Sequence, residues 1–109
     1  EGSSMSKVSV VLMTAPNETV AASIARTLVE EKLAACGNLI PKVRSIYRWQ
    51  DEVCDDPEVL VLFKTTDDRF ESMKNRLIDL HPYECPEVLQ IDVRGGSADY
   101  LAWVIGQTR

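Results

Sequence analysis

The sequence ACGNLIPKVRSIYRWQ, residues 35–50, decides the fold because it is too long and too apolar for an ordinary edge strand. A turn-like patch at residues 51–57 follows it, and a second β-rich run occupies residues 58–66, so the two runs can pair as an antiparallel hairpin. Pro41 cannot donate a hydrogen bond to a ladder and belongs at an edge or a bulge. The sequence therefore predicts a long two-stranded ribbon whose first strand needs a cover.

The residues before the ribbon predict one strand and one helix. Residues 8–13 form a nearly continuous apolar run, which is typical of a central strand buried on both faces. Asn17 can accept hydrogen bonds from the free amides of a first helical turn, so it predicts the N-cap of a helix. We expect that helix to end near Gly37 and to pack on the sheet through apolar side chains at helical spacing, Val20, Ile24 and Leu28.

The residues after the ribbon predict a second helix, a strand and a third helix. Apolar side chains recur at helical spacing over residues 70–80, and Pro82 ends this helix because the residue before a proline is pushed out of the helical region. Residues 87–93 alternate between apolar and polar side chains, as in a half-covered edge strand. Ser97 can then cap a final helix.

The predicted order of elements is β-α-β-β-α-β with an added C-terminal helix, which is the α+β, ferredoxin-like plan. Right-handed crossovers place the first and third strands in the middle of the sheet and the second and fourth strands at its edges. The first arm of the ribbon is then an edge strand that overhangs its own sheet. A closed ring of identical subunits would pair every such overhang, so the sequence predicts a homo-oligomer.

Length and charge limit the classes of function. We expect residues 7–109 to form one domain, and we interpret residues 1–6 as a tag remnant or a disordered tail. The net charge of -5 and the lack of a basic stripe argue against a nucleic-acid partner and favour cations as partners.

Hydropathy and cysteine usage suggest the compartment. No apolar run reaches the roughly 20 residues of a membrane helix and no signal peptide precedes the first strand, so we expect a soluble, cytoplasmic protein without a membrane partner. The three cysteines are widely separated and odd in number, which suits a reducing compartment better than a disulfide framework.

The densest polar cluster of the sequence is the loop at residues 81–87, HPYECPE. It combines an imidazole, a phenol, a thiol and carboxylates, and histidine, cysteine and carboxylate together are ligands that suit Cu, Zn or a similar transition metal. The alternative interpretation is that His81 only interacts with the C-terminal end of its helix and that the prolines stiffen a connector. The spacing alone does not decide between the two.

Aromatic residues of the ribbon predict a second feature near this loop. Tyr47, Trp49 and Lys64 could line a ligand cleft, with Lys64 attracting an anion. Aromatic side chains on an overhanging edge are also typical interface anchors, and both interpretations hold if the cleft lies between subunits. The sequence contains no phosphate-binding glycine loop, nucleophile elbow or nucleophile-base pair, so we expect neither enzymatic activity nor an organic cofactor.

Several motifs in one order closely resemble the CutA family of divalent-cation tolerance proteins. They run from about residue 8 to the end of the chain, and in this sequence they are TAP at 14–16, EKLAAC at 31–36, NLIP at 38–41, SIYRW at 45–49, KTT at 64–66, HPY at 81–83 with PE at 86–87, and YLAW at 100–103.

The resemblance implies a ferredoxin-like homotrimer assembled through its β-ribbons and a link to tolerance of copper and other divalent metals. The metal-binding pattern of the family falls on Met13, His81 and Glu87 of this chain. Some family members have cysteine at the position of Met13, so a thioether here replaces a thiolate and leaves His81 and Glu87 as the stronger pair. A methionine in a central strand is also commonly a core residue.

Two functional hypotheses follow, and a third, an unrecognised enzyme, would require a nucleophile or base pair that the sequence does not show. In the first, a cytoplasmic homotrimer binds Cu(II) or another divalent metal in clefts between subunits, at the loop of residues 81–87. In the second, a trimeric signalling or scaffold module binds an unidentified small ligand or protein, and its effect on metal tolerance is indirect. The residues that matter in the second hypothesis are those expected to line the cleft, Tyr47, Trp49, Lys64 and Tyr83.

Overall fold

The computed structural model describes residues 7–109, so the expectation for residues 1–6 lies outside the described residues. The elements are β1 (Val8–Ala15), α1 (Glu18–Glu30), β2 (Cys36–Trp49), β3 (Glu52–Thr66), α2 (Asp67–Leu80), β4 (Leu89–Asp92) and α3 (Ala98–Gln107). The strands form one antiparallel sheet in the order β2-β3-β1-β4, which confirms the predicted α+β class and strand order. None of the helices in residues 7–109 combines the length and apolar character that a membrane crossing requires.

The ribbon of β2 and β3 is longer than the sequence suggested. Its turn consists only of Gln50 and Asp51, whose φ angles are 50° and 67°. Two consecutive residues with positive φ fit the tight hairpin turn whose twist matches that of the flanking strands. The predicted turn at residues 51–57 was therefore wrong, because residues 52–57 continue β3 and pair with β2.

The ribbon contains the bulge that Pro41 predicted. The pairing register of β2 and β3 shifts between Ile40 and Val43, and Lys42 has a φ of 65°. A bulge bends a strand and increases its local twist. The ribbon therefore has two parts, a proximal part within the sheet and a distal part that extends from Val43 to the turn.

Helices α1 and α2 cover one face of the sheet and form the main core. The side-chain oxygen of Asn17 accepts a hydrogen bond from the backbone N–H of Val20 at 2.9 Å, so the predicted N-cap is confirmed. The core consists of apolar side chains that alternate along β1 and β3 and recur on the helices, among them Val11, Met13, Val61, Phe63, Ile24, Leu28, Met73 and Leu77. Asparagine capping and the period of the apolar residues thus position α1 as expected.

Helix α1 ends at Glu30, earlier than the predicted end near Gly37. The chain leaves the helix through Lys32, whose φ is 61°, so residues 33–35 can run back towards the sheet. Gly37 lies inside β2, where a Cβ atom would come within 3.0 Å of the ring of Phe63. This glycine therefore permits a close approach to the core and does not end the helix.

Strand β4 is shorter than the predicted residues 87–93, and all four of its residues are exposed. The prediction of a half-covered strand was wrong because no side chain of β4 is covered; on the second face of the sheet, α3 covers only the end near Val8 within residues 7–109. We call this second face the open face. Its side chains point away from α1 and α2, as the alternation and pairing register of the strands require, and they are Val10, Leu12, Ile40, Leu60, Leu62, Leu89 and Ile91.

Helix α3 packs near one end of the sheet through a smaller cluster. Val8, Ala35 and Val104 are buried there. The hydroxyl of Ser97 accepts a hydrogen bond from the backbone N–H of Tyr100 at 3.5 Å, so the predicted cap is confirmed.

Candidate functional site

A cleft lies between the distal ribbon and the loop that follows α2. Its cavity has a volume of about 680 Å³. The ribbon and the loop supply opposite walls, and the lining includes Thr14, Arg44, Tyr47, Trp49, Glu58, Tyr83, Glu84, Cys85 and Glu87. The structure thus brings the predicted Tyr47, Trp49, Tyr83 and Glu87 to one cavity.

Tyr83 joins the two walls of the cleft. Its phenol donates a hydrogen bond to Oε2 of Glu58 on β3 at 2.6 Å. Burial and the neighbouring Glu58 carboxylate raise the pKa of Tyr83, so the phenol stays protonated and remains the donor. This bond fixes the loop against the base of the distal ribbon.

The carboxylates of Glu58 and Glu87 form the negative end of the cavity. Burial first, and then the negative charge of Glu58, raise the pKa of Glu87 above its ordinary value. Both side chains line the cavity. Neither of them forms a salt bridge with a cationic side chain of residues 7–109. The site therefore offers carboxylate oxygens to a cation.

The ribbon wall carries polar pairs and an aromatic surface. Tyr47 donates a hydrogen bond to Oδ2 of Asp56 at 2.6 Å, which is the main reason that its pKa is raised. Arg44 forms two hydrogen bonds with Asp55, at 2.9 and 2.6 Å, so the positive charge of Arg44 is balanced on its own strand pair. Trp49 lies near the tip with 42% of its surface exposed.

His81 connects β1 to the loop through both ring nitrogens. Its Nε2 lies 2.8 Å from the backbone oxygen of Thr14, and its Nδ1 lies 3.1 Å from the backbone nitrogen of Tyr83. A carbonyl oxygen only accepts and an N–H only donates, so Nε2 carries the proton and Nδ1 accepts. With 7% of its surface exposed, His81 holds the loop in place.

The implied metal ligands Met13, His81 and Glu87 do not meet around one cavity. Met13 is fully buried in the core, and the next residue, Thr14, faces the cleft instead. Both nitrogens of His81 already have hydrogen-bond partners. Within residues 7–109 no three His, Cys, Asp or Glu side chains are grouped to hold a metal ion. As a ligand set, these three residues do not fit a metal ion in the single chain.

Lys64 lies apart from the cleft, at the other end of β3. It pairs with Cys36 of β2 in the sheet register and donates a hydrogen bond to Oδ1 of Asn38. The thiol of Cys36 lies 3.7 Å from the hydroxyl of Tyr100. The predicted grouping of Lys64 with Tyr47 and Trp49 is therefore not what the structure shows.

Sequence reasoning missed Glu58, Thr14 and Arg44 as cleft residues. A usable signal existed for Glu58. The signal is the period of two along a strand, which places Asp56 and Glu58 on one face of β3 once residues 52–57 are part of that strand. Thr14 and Arg44 reach the cleft only through the tertiary fold.

Comparison with known proteins identifies the family. The model of the CutA1 divalent ion tolerance protein family matches residues 9–107. The chain belongs to this family. A divalent-cation tolerance protein CutA of Thermus thermophilus is 50% identical over 87% of this chain and 92% of the relative. The human protein CutA is 44% identical over 89% of this chain, which spans 54% of the human protein.

A solved structure supports the same family. The divalent cation tolerance protein of Thermus thermophilus superimposes with a TM-score of 0.91 at 48% identity, covering 94% of this chain and 99% of that one. The resemblance found in the sequence motifs is therefore confirmed as family membership.

Proposed function

We propose that this protein contributes to divalent-cation tolerance by binding divalent cations, copper among them, in the cleft. The supporting observation is the pair Glu58 and Glu87, since the charge of the first raises the pKa of the second in a shared cavity. A cation between the two carboxylates removes their repulsion. Membership of a divalent ion tolerance family supports the same ligand class.

Other donor groups lie elsewhere on the lining of the cavity. Cys85 is a free thiol and Glu84 is a carboxylate, but within residues 7–109 no three such side chains are grouped around one point. Carboxylate oxygens suit hard cations, whereas a thiolate suits softer ones such as copper. His81 acts in this proposal by holding the loop that carries these donors.

We propose a binding role and not a catalytic one. The chain contains one histidine, and both of its ring nitrogens are occupied by hydrogen bonds. The imidazole is therefore not free to act as a general base in the cavity. The three free cysteines agree with a reducing compartment, and we propose a cytoplasmic location on that basis.

We further propose that the protein works as a homotrimer. Ile40, Leu89 and Ile91 of the open face are 41%, 55% and 48% exposed, and Ile46 and Val53 of the ribbon are 64% and 66% exposed. An apolar sheet face of this kind is normally covered. A closed ring covers it in every subunit and repeats the cleft three times. Sedimentation that gives a stable monomer mass at micromolar concentration contradicts this assembly.

Calorimetric titration of Cu(II) tests the cation site. We expect Glu58→Gln and Glu87→Gln each to weaken binding about tenfold or more, because each removes a charged ligand. Glu30→Gln, at the exposed end of α1, is the matched control and should leave the isotherm unchanged. Identical isotherms for all four proteins contradict the proposal.

The size of the cavity and its aromatic wall favour a second candidate function. A volume of about 680 Å³ also admits a small organic molecule. In that case the effect on metal tolerance is indirect, and Tyr47, Trp49 and Tyr83 contribute more to binding than the carboxylates do.

A further inference from the structure

We infer that the cleft also binds small organic dications, namely short alkyl diamines, at Glu58 and the neighbouring Asp56; this inference rests on the proposed cation-binding function. The volume of the cavity gives the first argument. A divalent ion with six waters needs roughly 200 Å³, since each water takes about 30 Å³. The cavity of about 680 Å³ is several times larger, so it has room for a longer cation.

The chemistry of the walls gives the second argument. Tyr47 and Trp49 of the ribbon and Tyr83 of the loop line the cavity together with its carboxylates. Aromatic faces attract organic ammonium groups, and apolar side chains accommodate an alkyl chain, whereas a strongly hydrated inorganic ion gains little from either.

The placement of charge gives the third argument. Asp56 and Glu58 are two residues apart on β3, so they share one face at a separation of about 7 Å. Tyr47 donates to the first and Tyr83 donates to the second. Glu58 lines the cavity, and Asp56 lies beside it as the hydrogen-bond partner of the lining residue Tyr47. Two ammonium groups on one short chain match two negative centres that lie about 7 Å apart, a separation that exceeds the reach of a single metal ion with ligands at about 2.0–2.6 Å.

Charge on the rest of the molecule does not oppose this ligand. Arg44 is the cationic residue of the lining, and its two hydrogen bonds to Asp55 balance its charge. The net charge of -5 favours the approach of dications from solution.

Calorimetric titration with 1,4-diaminobutane and with 1-aminobutane tests the inference on the full chain. We expect the wild type to bind the diamine at least tenfold more tightly than the monoamine, because only the diamine reaches both negative centres. Trp49→Leu should weaken diamine binding about fivefold, and Trp49→Phe should restore most of the loss. Thermal unfolding of each variant checks that it is folded.

The two proposals fail in different ways. Equal affinity for diamine and monoamine, or a Trp49→Leu variant that binds the diamine as tightly as the wild type, overturns the inference while Cu(II) binding stands. Absence of Cu(II) binding overturns the proposed function instead. Glu58→Gln should weaken both ligands, and a loss for Cu(II) alone contradicts the shared site.

Discussion

The two walls of the cleft differ in how they are held. The loop wall is tied to the core, because His81 bonds to Thr14 and to the backbone of Tyr83 while being almost completely buried. The ribbon wall is held by pairs at the surface, Arg44 with Asp55 and Tyr47 with Asp56. Buried hydrogen bonds are costly to break, whereas exposed pairs contribute little. The loop therefore presents a fixed set of donors, and the ribbon can adjust to the ligand.

The largest expected loss of stability follows from replacing His81, which holds the loop wall in place. His81→Ala leaves the Thr14 carbonyl and the Tyr83 amide without their partner and opens a space beneath the loop. We expect the free energy of unfolding to fall by about 2–4 kcal/mol, measured by urea denaturation without metal. Glu84→Gln, in the exposed part of the same loop, is the control and should change the stability by less than about 0.5 kcal/mol.

A different outcome would reverse the role of His81. If His81→Ala keeps the stability of the wild type but abolishes Cu(II) binding, the imidazole is a ligand and not an anchor. The difference between the two walls would then disappear.

Removing the hydroxyl of Tyr83 or of Tyr47 should lower the stability by less than the loss of His81 does. Tyr83→Phe removes the bond to Glu58 within the half-buried loop wall, and Tyr47→Phe removes the bond to Asp56 on the exposed ribbon. We expect a loss of about 1–2 kcal/mol for the first and no measurable loss for the second, by the same denaturation measurement. The two bonds have the same length of 2.6 Å, so equal losses would show that burial does not distinguish the walls.

The sequence predicted most of the fold because its signals are local. Asn17 caps α1, Pro82 follows the end of α2, and the order of apolar runs yields the strand order. The stretch at residues 51–57 was misinterpreted for a physical reason. Its Asp and Pro residues are typical of turns, yet cross-strand partners such as Arg44 for Asp55 keep it in the ribbon.

The candidate site was less predictable because its contacts are distant in sequence. The loop of residues 81–87 could be singled out by composition, but Thr14, the partner of His81, lies 67 positions away in the chain. Glu58 likewise meets Tyr83 only after the ribbon folds over the loop. Residue types therefore indicated a cation site, while the fold decides which carboxylates can form it.

Proton release on cation binding tests the central claim most directly. Burial and the charge of Glu58 hold the pKa of Glu87 above its ordinary value, so this carboxyl keeps its proton to a higher pH than a free glutamate and must lose it to bind a cation. Calorimetry in two buffers of different ionisation enthalpy measures that release. We predict that Cu(II) binding releases protons at about pH 5 and that this release declines towards about pH 7. We also predict that Glu87→Gln releases fewer protons than the wild type at about pH 5. Equal release by Glu87→Gln and the wild type near about pH 5 would contradict the cation site at Glu58 and Glu87.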